Sequence, residues 1–345
     1  MDNWIDKNDA GARGTIFGLW TCHQYVGDIA AALASAALIS AGFDWKWCIV
    51  VPAVFNGLWV IPNMYYLPNR PTEVEGLVPD ANKPPAPKPG SIQATASKAE
   101  SAPAQPIGLI EAFMLPNVMN YAIAFGFFKL VNYAMFFQLP VILSSHFDVT
   151  TSNLISILYS VGMMPGGVVC GYASDLMGGR RACVIAVFMA ILCPLLWLFA
   201  VYMQELPVTL LLALLCLMGC LVGGPNNIIT SAVATDLAND PIVKSKGQNA
   251  AGTVTGIING SGSVTAAIGQ LAIPVLYSMG LQDNVGYRYV WYFLIVCTVT
   301  GTALMSSKII KELAPPEEVV PLSAGQPSKA TYKAVPTRDS RQSNV

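Results

Sequence analysis

Eight long apolar runs, separated by short polar breaks, dominate the chain, at about 15–42, 47–67, 116–144, 150–177, 182–203, 207–235, 248–280 and 288–310. A helix rising about 1.5 Å per residue needs about 20 apolar residues to cross roughly 30 Å of hydrocarbon. The runs meet that length and lack the two-residue alternation of barrel strands, so they predict an all-α, polytopic transmembrane helical bundle of about eight membrane helices. The second and third runs are separated by 68–107, where nine prolines and many Ala, Ser and Lys leave too little apolar surface to offset the entropy of ordering. The predicted organisation is therefore 1–67 with two helices, 68–115 as a flexible Pro-rich linker, 116–312 with six helices, and 313–345 as a disordered tail. Six helices after a long linker is the size of one half of a twelve-helix secondary transporter.

Composition sharpens this picture. Apolar residues make up 54% of the chain and charged ones 11%, against roughly 25% charged in a soluble domain. A net charge of -1 gives no basic excess for nucleic acid. The eight cysteines lie in or beside apolar runs with no metal-ligand spacing, so they read as small apolar packing groups. No metal and no cofactor is implied. Met1–Arg13 is polar and lacks the basic start and short apolar core of a cleavable signal, so the first helix itself is expected to direct insertion. With both termini in the cytosol, sixteen of the nineteen Lys and Arg fall on the cytosolic side, with Lys46 and Arg288 opposite and Lys129 within the membrane.

The chemistry-bearing residues are few. Lys129 sits mid-helix in Phe128-Lys129-Leu130-Val131-Asn132-Tyr133, where a charge costs about 2.5–3.5 kcal/mol on insertion scales. Asn132 and Tyr133 share its helical face, and a cation, an amide and a phenol together suit an anionic, oxygen-rich solute. A lysine that snorkels to the interface, or pairs with a carbonyl for structure alone, is the other reading. In the first run Thr21, His23, Gln24 and Asp28 interrupt an apolar helix, and His23 suits an anion or a proton near neutral pH; a structural hydrogen bond near the headgroups is the alternative. His146 reads as a solvated loop residue.

Further along, Gly223-Gly224-Pro225-Asn226-Asn227 weakens a helical ladder, which frees carbonyls and makes Asn226 a ligand candidate or else produces only a kink. Pro165-Gly166-Gly167 is expected to bend the fourth helix. Gly252, Gly256 and Gly260 recur every four residues and predict a flat face for close helix packing, with Asn259 and Ser263 beside it as weaker binding candidates. On the cytosolic turn between the fourth and fifth runs, Gly171, Asp175, Gly179, Arg180 and Arg181 form a G-x-x-x-D-x-x-x-G-R-R loop. There Asp175 is expected to pair with Arg180 or Arg181 as a gate latch, unless the loop is only a positive-inside anchor.

That loop resembles the one found throughout the major facilitator superfamily. Trp20-Thr21-Cys22-His23-Gln24-Tyr25-Val26-Gly27, Phe128–Tyr133, Gly224–Leu237 and Ala251–Ser263 are similar, in order and spacing, to helices five, seven, ten and eleven of its sugar-phosphate/phosphate exchangers, solute carrier family 37. The resemblance implies a major facilitator fold, here the last two helices of the N-terminal half plus a complete six-helix C-terminal half, without helices one to four. It implies a secondary antiporter, not an enzyme, that exchanges a phosphorylated sugar for inorganic phosphate in a lipid bilayer, the endoplasmic reticulum rather than the plasma membrane. Lys129, His23, Asn132, Tyr133, Asn226 and Asn259 would then bind the anion. A carrier of another small solute and a non-transporting membrane scaffold are the competing readings.

Overall fold

The computed structural model describes residues 13–67, 105–239 and 248–314. Its helices are α1 (Arg13–Ser40), α2 (Trp47–Tyr66), α3 (Leu109–Phe113), α4 (Val118–Leu143), α5 (Val149–Leu176), α6 (Arg181–Tyr202), α7 (Val208–Ile228), α8 (Ala234–Ala238), α9 (Ala251–Gln270), α10 (Ala272–Gln282), α11 (Arg288–Leu304) and α12 (Ser306–Leu313). Among the described residues, six spans are long and apolar enough to cross a membrane: Trp47–Tyr66, Val118–Leu143, Val149–Leu176, Arg181–Tyr202, Val208–Ala238 and Ala251–Gln282. A seventh arises if α11 and α12, bent by 51°, count as one. The eighth expected span, α1, has the length, but Thr21, His23, Gln24 and Asp28 leave it less apolar than the others.

The expected linker and tail fall mostly outside the described residues, as 68–104 and 315–345. Order begins before the expected boundary at 116. A two-residue strand β1 (Gln105–Pro106) pairs in parallel with β2 (Gln248–Asn249), and Ile107, Ala112 and Leu115 are buried. The apolar side chains that follow the proline stretch supply the burial that the prolines themselves could not.

Glycine decides how the helices meet. α5 and α7 run side by side so closely that a Cβ at Gly162 or Gly166 would collide with the backbone of Cys216 or Cys220, and one at Gly219 with the Tyr159 carbonyl. α1 lies against α5 in the same way, through Gly14 and Gly18 facing Gly171 and Gly167. Without a hydrophobic drive between helices in lipid, such backbone approach is what van der Waals contact requires. Gly166 and Gly167 thus serve packing within a continuous α5. The expected flat face at Gly252, Gly256 and Gly260 behaves differently: all three are exposed with nothing near their missing Cβ positions. α9 packs on α4 through Val254, Ile257, Ile258, Gly262 and Ala266, which places the glycine stripe on its opposite side.

Acidic groups cap the starts of α5 and α6. Asp148 accepts the Thr151 amide at 3.0 Å and starts α5; contacts with Thr151, its hydroxyl foremost, hold the Asp148 carboxyl below the usual carboxylate range. Glu312 on α12 takes the amides of Ala182 and Cys183 at the start of α6. All eight cysteines are free thiols, in line with their reading as packing groups. α2 stands apart, with no buried residue and with Trp47, Tyr65 and Tyr66 exposed at its ends, the placement of aromatic interface anchors.

The glycine contacts generate a paired expectation. Gly166→Leu should lower thermal stability in detergent by about 1–3 kcal/mol through overpacking, whereas Gly256→Leu should leave the melting temperature unchanged. Equal effects of the two variants would contradict this division of the glycines.

Candidate functional site

Lys129 lies in the middle of α4 and is 5% exposed. Its ammonium donates to the Asn259 side-chain oxygen at 2.6 Å, the Asn259 carbonyl at 3.2 Å and the Ser263 hydroxyl at 2.8 Å. Three donors thus meet three neutral acceptors on α9. The rings of Phe125 and Tyr133 stand 5.6 and 5.3 Å from the nitrogen, one helical turn on either side of Lys129 along α4, and add cation–π attraction. No carboxylate pairs with Lys129 among the described residues. The hydrogen bonds satisfy its donors, but the charge itself is uncompensated. Asn259 is exposed and borders the open glycine stripe of α9, so one edge of the cluster is not covered by another helix.

The other expected ligands divide into separate groups. Asn132, at 3% exposure, turns away from Lys129 and accepts the Tyr159 hydroxyl at 2.9 Å. Asn226 lies on α7, where its Oδ1 is buried without a hydrogen bond. Beside it, Asn227 accepts the hydroxyl of the fully buried Tyr25 at 2.7 Å, and its Nδ2 makes no hydrogen bond. His23 is exposed on α1, its Nδ1 against its own Trp20 carbonyl, and is not among the partners of Lys129. His146 is exposed in the turn after α4. The ladder weakened by Pro225 continues as a π turn at Ile229–Val233. The carbonyls of Asn226 and Asn227, which lead into that turn, accept the hydroxyls of Thr230 and Ser231, so neighbouring side chains occupy them rather than leaving them open to a ligand.

The loop between α5 and α6 pairs differently from expectation. Asp175 accepts the Gly14 amide at 3.0 Å and both the amide and the hydroxyl of Thr15 at 2.8 Å; it caps the start of α1 from another helix. Arg181 joins Asp236 of α8 at 2.5 Å, and Arg180 is exposed. An Asp175–Arg pair fails because Gly178 and Gly179, with φ of 68° and 83°, turn the chain away, while α1 presents unpaired amides directly. Gly171 has no room for a Cβ against the Gly14 carbonyl.

Sequence reasoning missed Tyr25, Tyr159, Asn227, Asp236 and Glu312. Tyr25 lies within Trp20–Gly27, and Asn227 and Asp236 within Gly224–Leu237; a polar atom in an apolar helix is the available signal for all three.

Helices of this length, with a cation buried between two of them, define a multi-pass integral membrane protein. Residues 8–270 match the Major Facilitator Superfamily, and the chain belongs to that family, whose members are transporters and not enzymes. It is 31% identical over 329 residues to sugar phosphate exchanger 3 of Gallus gallus, across 91% of this chain and 63% of that protein. It is 30% identical over 333 residues to the glucose-6-phosphate exchanger SLC37A2 of Bos taurus, across 91% and 65%. With sugar phosphate exchanger 3 of Homo sapiens it shares 30% over 331 residues, across 91% and 64%. The chain therefore spans a little under two thirds of the length of these relatives, and the resemblance read from the motifs holds.

The geometry makes a separable expectation for stability. Asn259→Ala removes the nearest of the ammonium's three acceptors, the side-chain oxygen at 2.6 Å, and should cost about 1–3 kcal/mol. Lys129→Met removes the charge at similar volume and should leave the melting temperature in detergent unchanged or higher. A large loss in Lys129→Met would assign the lysine a purely structural role.

Proposed function

We propose that the chain forms part of a secondary transporter that exchanges a phosphorylated sugar or related organophosphate for inorganic phosphate by alternating access. The observation that carries this reading is Lys129, a cation held within the bilayer by neutral oxygens alone. Keeping such a charge is costly, and an arriving anion offsets the cost in a medium where Coulomb attraction is strong. Phosphate oxygens replace the Asn259 and Ser263 acceptors one for one, so the ammonium exchanges partners without losing hydrogen bonds. Tyr133 offers a hydroxyl on the same face. The relatives named as exchangers of sugar phosphate and glucose 6-phosphate support the substrate class. Asn132, Asn226 and His23 act, in this proposal, on the substrate path rather than in the resting Lys129 cluster.

The cytosolic contacts fit the same cycle. Asp175 on the start of α1 and Arg181 on Asp236 join helix ends that must part if the cytosolic side is to open, and both bonds re-form on closing. The proposed setting is the endoplasmic reticulum membrane with both termini in the cytosol.

The test is counterflow of labelled phosphate in proteoliposomes carrying the protein as the cell makes it. Lys129→Met should reduce exchange by at least about 30-fold, the loss of a desolvated charge–charge contact worth 2–5 kcal/mol. Undiminished exchange in this well-folded variant would remove Lys129 from the mechanism.

A further inference from the structure

A cavity of about 220 Å³ lies between α1, α4 and α5, lined by Asp28, Phe136, Asn153, Ser156, Tyr159 and Ser160 among others. At about 30 Å³ per water it has room for roughly seven waters, far more than a single ion needs. Asn153, Ser156 and Ser160 fall three and four residues apart, so one face of α5 carries an amide and two hydroxyls into it. Asp28 makes no hydrogen bond or ion pair with the described residues, although it lies in a helix packed along α5. A membrane carboxylate with no partner of its own needs donors from elsewhere.

The cavity is in line with the lysine. Lys129, Tyr133, Phe136 and Pro140 recur at helical spacing on one face of α4. Phe136 and Pro140 line the cavity; seven residues separate Lys129 from Phe136, a rise of about 10 Å along the axis. Tyr159 lines the cavity and donates its hydroxyl to Asn132 of α4, which fixes that wall to α4. One end of this track is positive and the other negative. An anionic group is drawn to Lys129 and repelled from Asp28, whereas a neutral group rich in hydroxyls can donate to Asp28.

We infer that this cavity is the subsite for the uncharged polyhydroxy part of the substrate, with Asp28 accepting its hydroxyl protons and Asn153, Ser156 and Ser160 completing the hydrogen bonds. The inference rests on the phosphate reading of Lys129 and fixes the orientation it leaves open: phosphate toward Lys129, hydroxyls toward Asp28. A metal cation is the weaker occupant, since no cluster of three His, Cys, Asp or Glu occurs among the described residues and the cavity walls include Phe136 and Met135.

The experiment measures labelled-phosphate counterflow in proteoliposomes carrying the protein as the cell makes it, with unlabelled glucose 6-phosphate and ethyl phosphate as competitors. Asp28→Asn, which keeps the side chain's shape, should weaken competition by glucose 6-phosphate about tenfold, the effect of one lost charge-assisted hydrogen bond. Competition by ethyl phosphate, which has no hydroxyls beyond the phosphate, should be unchanged. Ser160→Ala, a smaller change, should show the same selective loss to a lesser degree. Equal weakening of both competitors, or of neither, overturns the subsite. So does sodium-dependent exchange that becomes sodium-independent in Asp28→Asn, which would make the cavity a cation site. Wild-type protein that exchanges no phosphate overturns the reading of Lys129, and the subsite with it.

Discussion

An ammonium group held in a bundle of apolar helices by three neutral oxygens, with no carboxylate among the described residues to balance it, is the constraint that the helices around it must satisfy. Its donors are satisfied, so the fold tolerates it; its charge is not, so it attracts anions. That separation matters for a carrier. A lysine locked to a buried carboxylate would release its partner only at a high cost, and a lysine reaching the headgroups would present no charge within the bilayer. Neutral acceptors on a neighbouring helix hold the side chain in place and can be exchanged for the oxygens of a substrate.

The helices around this cluster are joined by two kinds of contact with different consequences for movement. Between α5 and α7, and between α1 and α5, glycines bring backbones together over several turns, and such surfaces are rigid because close packing leaves no slack. At the helix ends the joints are single polar contacts, Asp175 on the α1 amides, Arg181 on Asp236 and Glu312 on the α6 amides. These are individually modest and reversible. Rigid rods with polar clasps at one end form an arrangement that can rock without losing its internal packing. The open glycine stripe of α9 and the unburied α2 belong to neither kind of contact. Both lie in a chain that spans a little under two thirds of its relatives' length.

Much of the architecture could be read from the residues in order. Apolar runs of membrane length and their separation by prolines are local properties, and a helix in lipid must satisfy its own backbone within the same run. Lys129 was legible for a related reason: its cost depends on depth along its own helix and not on its neighbours. The same holds for Tyr133, one turn away on the same face, and for Gly178 and Gly179, whose turn is a matter of local backbone freedom.

What the chain order could not disclose is which faces meet. Two stripes of glycine look alike along the sequence, yet the one in α5 and α7 is pressed against backbone and the one in α9 stands open. Asn132 shares a face with Lys129 but is claimed by Tyr159 from α5, while Asn259 and Ser263, some 130 positions away, hold the lysine instead. Asp175 had two arginines close by in sequence and chose amides 160 residues upstream. Each choice is settled by distance in space between separate helices, and helical periodicity gives the direction of a side chain without naming what stands opposite it.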